Sequence, residues 1–332
     1  MNKILIATLI GFILIFGCVS IDKENKNYYN EKNEQLNNNK QEQKILVVVS
    51  IPPQKEFVKA IGGDNVETIL LVPPGASPHT YEPTSQQLAQ ISKADIYFAV
   101  GSFIEVEKIW LSKIKDINPH IRIINTSKNI DFIQTQTHEH EEQNEHLFKD
   151  EDALIHVENE YGEQEQLLTS FDPHVWTSIN NAKKMVEEIK AALIEQDPQN
   201  SKVYMQNAHE YTQKLETLDE ELRSDFGSNQ KKSFFVYHPA WGYFANDYGL
   251  TQVCIEKLGK EPTPVELAQI IAEAKEQNVK IIFASLQFSA ESANTISQQI
   301  GGKVIIIDPL DENYIQNMQN VSEKIKDAII SQ

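Results

Sequence analysis

Two hydrophobic patterns alternate along the chain. Short, nearly unbroken runs of Val, Ile and Leu occupy residues 44–50, 66–72, 95–100 and 121–124. Runs of this length and composition predict strands covered on both faces, as in a parallel sheet. Between them, residues 84–92 and 104–114 space their apolar side chains as helices do. Beyond residue 230 the alternation resumes. Strands are predicted at 233–237, 252–255, 280–284 and 303–307, helices at 264–276 and 290–299, and a closing helix at 312–330. Repeated strand–helix alternation in two halves predicts an α/β fold of two lobes with mainly parallel sheets, over residues 44–196 and 228–332.

A long helix is predicted between the halves, within 197–227. Asp197 is placed to cap it and Pro198 stands in the first turn, where a missing N–H costs nothing. Tyr204, Ala208, Tyr211, Leu215, Leu218 and Leu222 then form an amphipathic stripe, and Gly227 follows as a candidate C-cap. Residues 198–226 as one helix would span about 43 Å, enough to brace both lobes as a rigid strut.

Two regions lie outside this pattern. Lys3 precedes an uncharged, mainly apolar stretch at 4–16 that ends in Gly17-Cys18. It is shorter than the roughly 20 residues a spanning helix needs, and reads as a signal peptide over 1–17. Gly-Cys at its end resembles a lipobox, which makes Cys18 a candidate lipidated N-terminus anchored to the outer face of a membrane. Residues 18–43 are rich in Asn, Gln and charge and read as a disordered tether. The second region, 138–165, holds four His (His138, His140, His146 and His156) with eleven acidic residues and one Lys. A His-rich acidic insertion of this kind is a candidate for accessory metal capture, with an inert solvated loop as the alternative.

Composition narrows the chemistry. Thirty Lys and Arg against 48 Asp and Glu give a formal charge of −18, which argues against nucleic acid as a partner. Two cysteines, only Cys254 of them in the globular part, exclude a disulfide framework and a thiolate zinc site. Cys254 reads as a buried apolar side chain. Among the remaining histidines, His120 reads as a loop residue and His209 as solvated, while Trp110, Trp176 and Trp241 read as packing.

Four proline-flanked stretches carry candidate ligands: Pro78-His79, Pro173-His174, His238-Pro239 and Asp308-Pro309. Three of them, at His79, His238 and Asp308, fall after predicted strands, where parallel α/β sheets place their ligands. Imidazole nitrogens with a carboxylate oxygen make a donor set suited to tetrahedral zinc, and the adjacent prolines restrict the backbone. Singly, each histidine reads more readily as a satisfied polar residue than as a ligand.

Taken together and in order, Cys18 after its signal, residues 73–83 (Pro-Pro-Gly-Ala-Ser-Pro-His-Thr-Tyr-Glu-Pro), 172–176 (Asp-Pro-His-Val-Trp), 238–245 (His-Pro-Ala-Trp-Gly-Tyr-Phe-Ala), 259–264 (Gly-Lys-Glu-Pro-Thr-Pro) and 308–310 (Asp-Pro-Leu) resemble the metal-binding lipoproteins of zinc and manganese ABC importers. The resemblance implies two α/β lobes joined by a long rigid helix, with one metal ion in the inter-lobe cleft. It implies His79, His174, His238 and Asp308 as ligands, with Asp311 or water as alternatives to Asp308. His238 and the His-rich loop place the chain in the zinc branch, with manganese or iron as alternative cargo. The implied role is an exported, lipid-anchored monomer on the outer face of the cytoplasmic membrane. It would capture Zn2+ and pass it to an importer permease and its ATPase. Affinity is expected to fall as the pH drops toward and below about 6.5, because zinc competes with protons for imidazole.

Two further readings stand beside this one. A zinc hydrolase would need a water-occupied fourth position and a general base, for which Glu82 is the motif-borne candidate. The chain has no His-Glu-x-x-His and no nucleophile elbow. A surface adhesin leaves no mark in the sequence for or against it.

Overall fold

A computed structural model describes residues 44–134, 171–227, 232–256, 262–288 and 291–331. The signal segment, Cys18, the tether, the four histidines of 138–165 and residues 259–261 of the Gly-Lys-Glu-Pro-Thr-Pro stretch lie outside the described residues.

The N-terminal lobe carries β1 (Ile45–Val49), α1 (Pro52–Gly62), β2 (Val66–Leu70), α2 (Ser85–Ile91), β3 (Ile96–Ala99), α3 (Glu105–Ile117), β4 (Arg122–Asn125) and α4 (Ile179–Gln196). Then comes α5 (Ser201–Phe226). The C-terminal lobe has β5 (Ser233–Val236), α6 (Gly242–Tyr248), β6 (Thr251–Cys254), α7 (Pro264–Glu276), β7 (Ile281–Ala284), α8 (Glu291–Gln299), β8 (Lys303–Ile306) and α9 (Tyr314–Ile330). Each lobe contains a four-stranded, all-parallel sheet, ordered β2-β1-β3-β4 and β6-β5-β7-β8. Helices α1, α4 and α6 are additions to the elements predicted from the sequence.

The strut forms, with a modified start. Pro198–Asn200 make a 3-10 turn before α5, and the Asp197 carboxylate accepts hydrogen bonds from Asn200 Nδ2 (2.6 Å) and the Tyr204 hydroxyl (2.7 Å). Those bonds outweigh burial and hold the Asp197 carboxyl below its usual range. Gly227 keeps right-handed helical angles (φ −55°, ψ −31°), so α5 does not end on the left-handed cap that glycine suggested. The whole predicted stripe is buried, and α5 packs on α4 and α1 as well as on α9 and α6.

One continuous core therefore runs through both lobes. Strand residues alternate with period two: Phe234, Val236, Ile281 and Phe283 join the core shared with the strut and the N-terminal lobe. Their neighbours Phe235, Tyr237, Ile282 and Ala284 enter a second cluster beneath α7 and α8. Cys254 is 5% exposed at the end of β6. His120 and His209 are exposed, and Trp176 and Trp241 are buried, as expected.

Candidate metal centre

His79 lies in the long connection from β2 to α2. Gly75 turns that connection with φ +81°, a conformation favourable only to glycine. Tyr81 N–H then donates to Ser77 O (3.0 Å), and His79 N–H to Ser77 Oγ (3.3 Å). The far end is tied down by Gln87, whose Nε2 donates to Leu71 O (2.8 Å) while its Oε1 accepts from the Tyr81 hydroxyl (2.7 Å). His174 precedes the 3-10 turn Val175–Thr177 that leads into α4. His238 sits two residues beyond β5, which places it at the carboxyl end of the C-terminal sheet.

These three histidines converge from both lobes. His174 Nε2 lies 3.3 Å from His79 Nε2 and 3.2 Å from His238 Nε2, and one ligand atom of each ring falls within 4.8 Å of the others. Vertices of a tetrahedron with bonds of about 2.0–2.1 Å are about 3.3–3.4 Å apart, so the two closest separations match tetrahedral zinc–nitrogen geometry. The small cavity between them, of about 10 Å³, is lined by the three rings with Pro78, Trp176, Gln287, Phe288, Pro309 and Leu310. It has room for a body of about one water's size.

Each ring meets a carboxylate on its other nitrogen. His79 Nδ1 lies 2.5 Å from Glu105 Oε2, His174 Nδ1 2.8 Å from Asp172 Oδ1, and His238 Nδ1 3.3 Å from Glu256 Oε2. An ionised carboxylate only accepts, so it favours the tautomer with the proton on Nδ1. All three Nε2 lone pairs are thereby turned inward, the arrangement that orients and strengthens metal-binding imidazoles. Asp172 also accepts from His174 N–H at 2.9 Å. Its Oδ2 lies so close to α6 that a Cβ on Gly242 would meet it at 2.3 Å, and only glycine fits there.

The electrostatics follow from burial. Burial first, then the neighbouring His174 and His79, push the His238 ring well below the usual imidazole range, so it stays neutral. Burial pushes the Glu105 carboxyl up, but hydrogen bonding and charge from His79, helped by its own backbone N–H and Lys108, outweigh it and leave it lowered. Phe288 stacks on the His238 ring, with centroids 4.2 Å apart.

Asp308 stands apart from the histidine group. Its Oδ1 accepts from Gln287 Nε2 (2.8 Å) and Leu310 N–H (2.9 Å). Asp311 Oδ1 accepts from Asn313 N–H (2.8 Å). Glu82 is exposed and does not line the cavity. Glu105 and Glu256 carry no local sequence signal, since they reach their histidines from α3 and from the end of β6. Asp172 stood in a conspicuous motif without an assigned role, two residues before its ring.

The profile of the family described as zinc-uptake complex component A, periplasmic, matches residues 47–328. The chain is 33% identical over 301 residues to the high-affinity zinc uptake system protein ZnuA of Bacillus subtilis strain 168, covering 86% of this chain and 88% of that protein. It is 30% identical over 295 residues to the zinc-binding lipoprotein AdcA of Streptococcus pneumoniae strain R6, covering 85% of this chain. The match spans 55% of AdcA, about half its length. A crystal structure of ZnuA aligns with a TM-score of 0.74 at 35% identity, over 86% of this chain and 99% of the other.

Proposed function

The chain belongs to the zinc-uptake complex component A family, and on that premise we propose that it is an extracytoplasmic receptor that captures Zn2+ and delivers it to the permease of an ABC importer. The observation that carries this reading is the convergence of three Nε2 atoms, each ring backed by a carboxylate. Three nitrogen donors favour zinc over the harder manganese ion. His79, His174 and His238 supply those donors, and Asp308 is the candidate fourth ligand. To reach the ion, Asp308 would exchange its bond from Gln287 for the metal, with Asp311 or water as the other occupants of that position.

Capture and handover require no bond to be made or broken in a substrate, so the role is that of a receptor and not an enzyme. Export, lipidation at Cys18 and action as a monomer beside the permease and its ATPase complete the proposal. The histidines of 138–165 would act as accessory captors. Gln134 and Phe171, which flank the undescribed residues 135–170, pair with each other, and Asp172 N–H donates to Ile133 O at 2.9 Å. Metal gathered by that segment would arrive within a few residues of His174.

Native mass spectrometry of the metal-stripped protein offered equimolar zinc and manganese tests this. One retained zinc is expected in the wild type. It should be lost or weakened in His238→Ala, and held about 10- to 100-fold less tightly in Asp172→Asn, which removes the negative charge behind the His174 ring. Retention of manganese instead would move the cargo assignment, and zinc held equally by His238→Ala would overturn the site.

A further inference from the structure

Residues 100–107, between β3 and the first turn of α3, hold both N-terminal-lobe histidines from behind. Val106 N–H donates to Pro78 O at 3.1 Å, and Glu105 receives the Nδ1 side of the next residue, His79. At the other end of the segment, the Ser102 hydroxyl donates to Pro173 O at 2.5 Å, one residue before His174. Two left-handed residues shape this bracket. Gly101 has φ +76°, and a Cβ there would run into Asn125; Phe103 has φ +68°, a conformation that costs an aromatic residue about 1–3 kcal/mol unless its surroundings enforce it.

Glu107 enforces it. Its side chain is 3% exposed, yet its carboxylate accepts from Val100 N–H (2.6 Å), Gly101 N–H (2.9 Å) and the Ser50 hydroxyl, whose oxygen also lies 2.9 Å from the Tyr97 hydroxyl. No cationic side chain among the described residues is bonded to it. A buried carboxylate of this kind is costly to stability and serves poorly as mere filling. What its bonds achieve is to fasten the bracket to the carboxyl ends of β1 and β3.

We propose that Glu107 is a positioning residue for the metal site: by clamping residues 100–107 to the sheet it sets the separation of His79 Nε2 from His174 Nε2. The proposal rests on the reading of the histidines as ligands. Its test must therefore separate a lost bracket from a lost site, and both from a general loss of stability.

Zinc affinity of the full chain, measured by competition with a chromophoric chelator, serves for the wild type, Glu107→Gln, Ser102→Ala, Asn118→Ala and His238→Ala. Glu107→Gln turns an amide N–H against a backbone donor, and Ser102→Ala frees only the Pro173 end of the bracket. Both are expected to weaken zinc about tenfold or more. Asn118, at the far end of α3, donates Nδ2 to Ile91 O (3.1 Å) and Ala94 O (2.8 Å). Its alanine variant is expected to lower the melting temperature while moving zinc affinity by no more than about twofold. In the metal-free protein, imidazole NMR signals of His79 and His174 should shift in Glu107→Gln while those of His238 hold. If Glu107→Gln does not fold, Ser102→Ala carries the test. Wild-type affinity in both bracket variants, or a loss of affinity in Asn118→Ala as large as theirs, would overturn the proposal. Equal zinc binding by His238→Ala and wild type would instead overturn the ligand assignment beneath it.

Discussion

At the scale of single residues, the site is built from ordinary side chains made unusual by their neighbours. Three histidines present lone pairs to one point because three carboxylates from separate elements take their other nitrogens. His238 bears the strongest consequence. An unfolded histidine takes up a proton near pH 6.5. In the folded protein, burial and the other two rings hold off that proton until the pH is well lower. Between those two values the unfolded state binds more protons, so this residue's contribution to stability falls as the pH falls below about 6.5. Metal-free wild type should therefore lose more stability between pH 7.5 and 5.5 than His238→Gln, which does not titrate. Thermal melts of both proteins at each pH check this, and parallel losses would refute it. The same shift refines the expectation for zinc: proton competition at His238 sets in at a lower pH than for an unperturbed imidazole.

At the scale of elements, local rules explain where segments begin, and some conspicuous motifs prove to be structural punctuation. Thr263-Pro264, the described end of the Gly-Lys-Glu-Pro-Thr-Pro stretch, is a helix start. Thr263 Oγ1 accepts from Glu266 N–H, Glu266 Oε2 accepts from Thr263 N–H at 2.8 Å, and Pro264 occupies the first turn of α7. Thr263→Ala should cost about 1 kcal/mol, with zinc affinity unchanged. By contrast, Leu215→Ala in the strut, fully buried among residues of the shared core, should cost about 2–5 kcal/mol. Urea denaturation of the two variants beside wild type gives both numbers, and comparable losses would contradict this division.

At the scale of the whole molecule, the lobes share one core through α5 instead of being strung on a flexible linker. Side chains also cross between them: Trp176 Nε1 donates to Pro309 O (2.7 Å), Tyr243 hydroxyl to Asp172 O (3.0 Å), and Tyr314 hydroxyl to Trp176 O (2.8 Å). Glu56 of α1 bonds both the Tyr211 hydroxyl of the strut and the N–H of Tyr314 at the start of α9. A shared core of this kind predicts that the two lobes unfold together. Calorimetry of the metal-free protein should show one transition with equal calorimetric and van't Hoff enthalpies, moving to higher temperature with zinc. Two separable transitions would show that the lobes are independent.

Much of this organisation was legible before any coordinates. Strand and helix identities follow from hydrophobic period, which local chemistry sets, and all eight predicted strands form within a residue or two of their expected bounds. The helices α1, α4 and α6 escaped the reading. α1 begins with two prolines directly beyond a strand run, which masks the helical spacing of Phe57, Val58 and Ile61, and α6, at seven residues, spans only about two turns. His79, His174 and His238 each stand beside a proline, and His79 and His238 follow predicted strands, but it is the family resemblance across the ordered motifs that marks them as ligands. Which distant groups complete them depends on how the chain packs. Glu105, Glu256 and Glu107 are ordinary acids among 48 in the sequence, and they acquire roles only when α3 and β6 are packed against the ligand loops. The carboxylate of Asp308, equally conspicuous in sequence, turns toward the Leu310 N–H two residues on and toward Gln287, a donor that only the fold brings beside it, because the donors around an acceptor determine where it points.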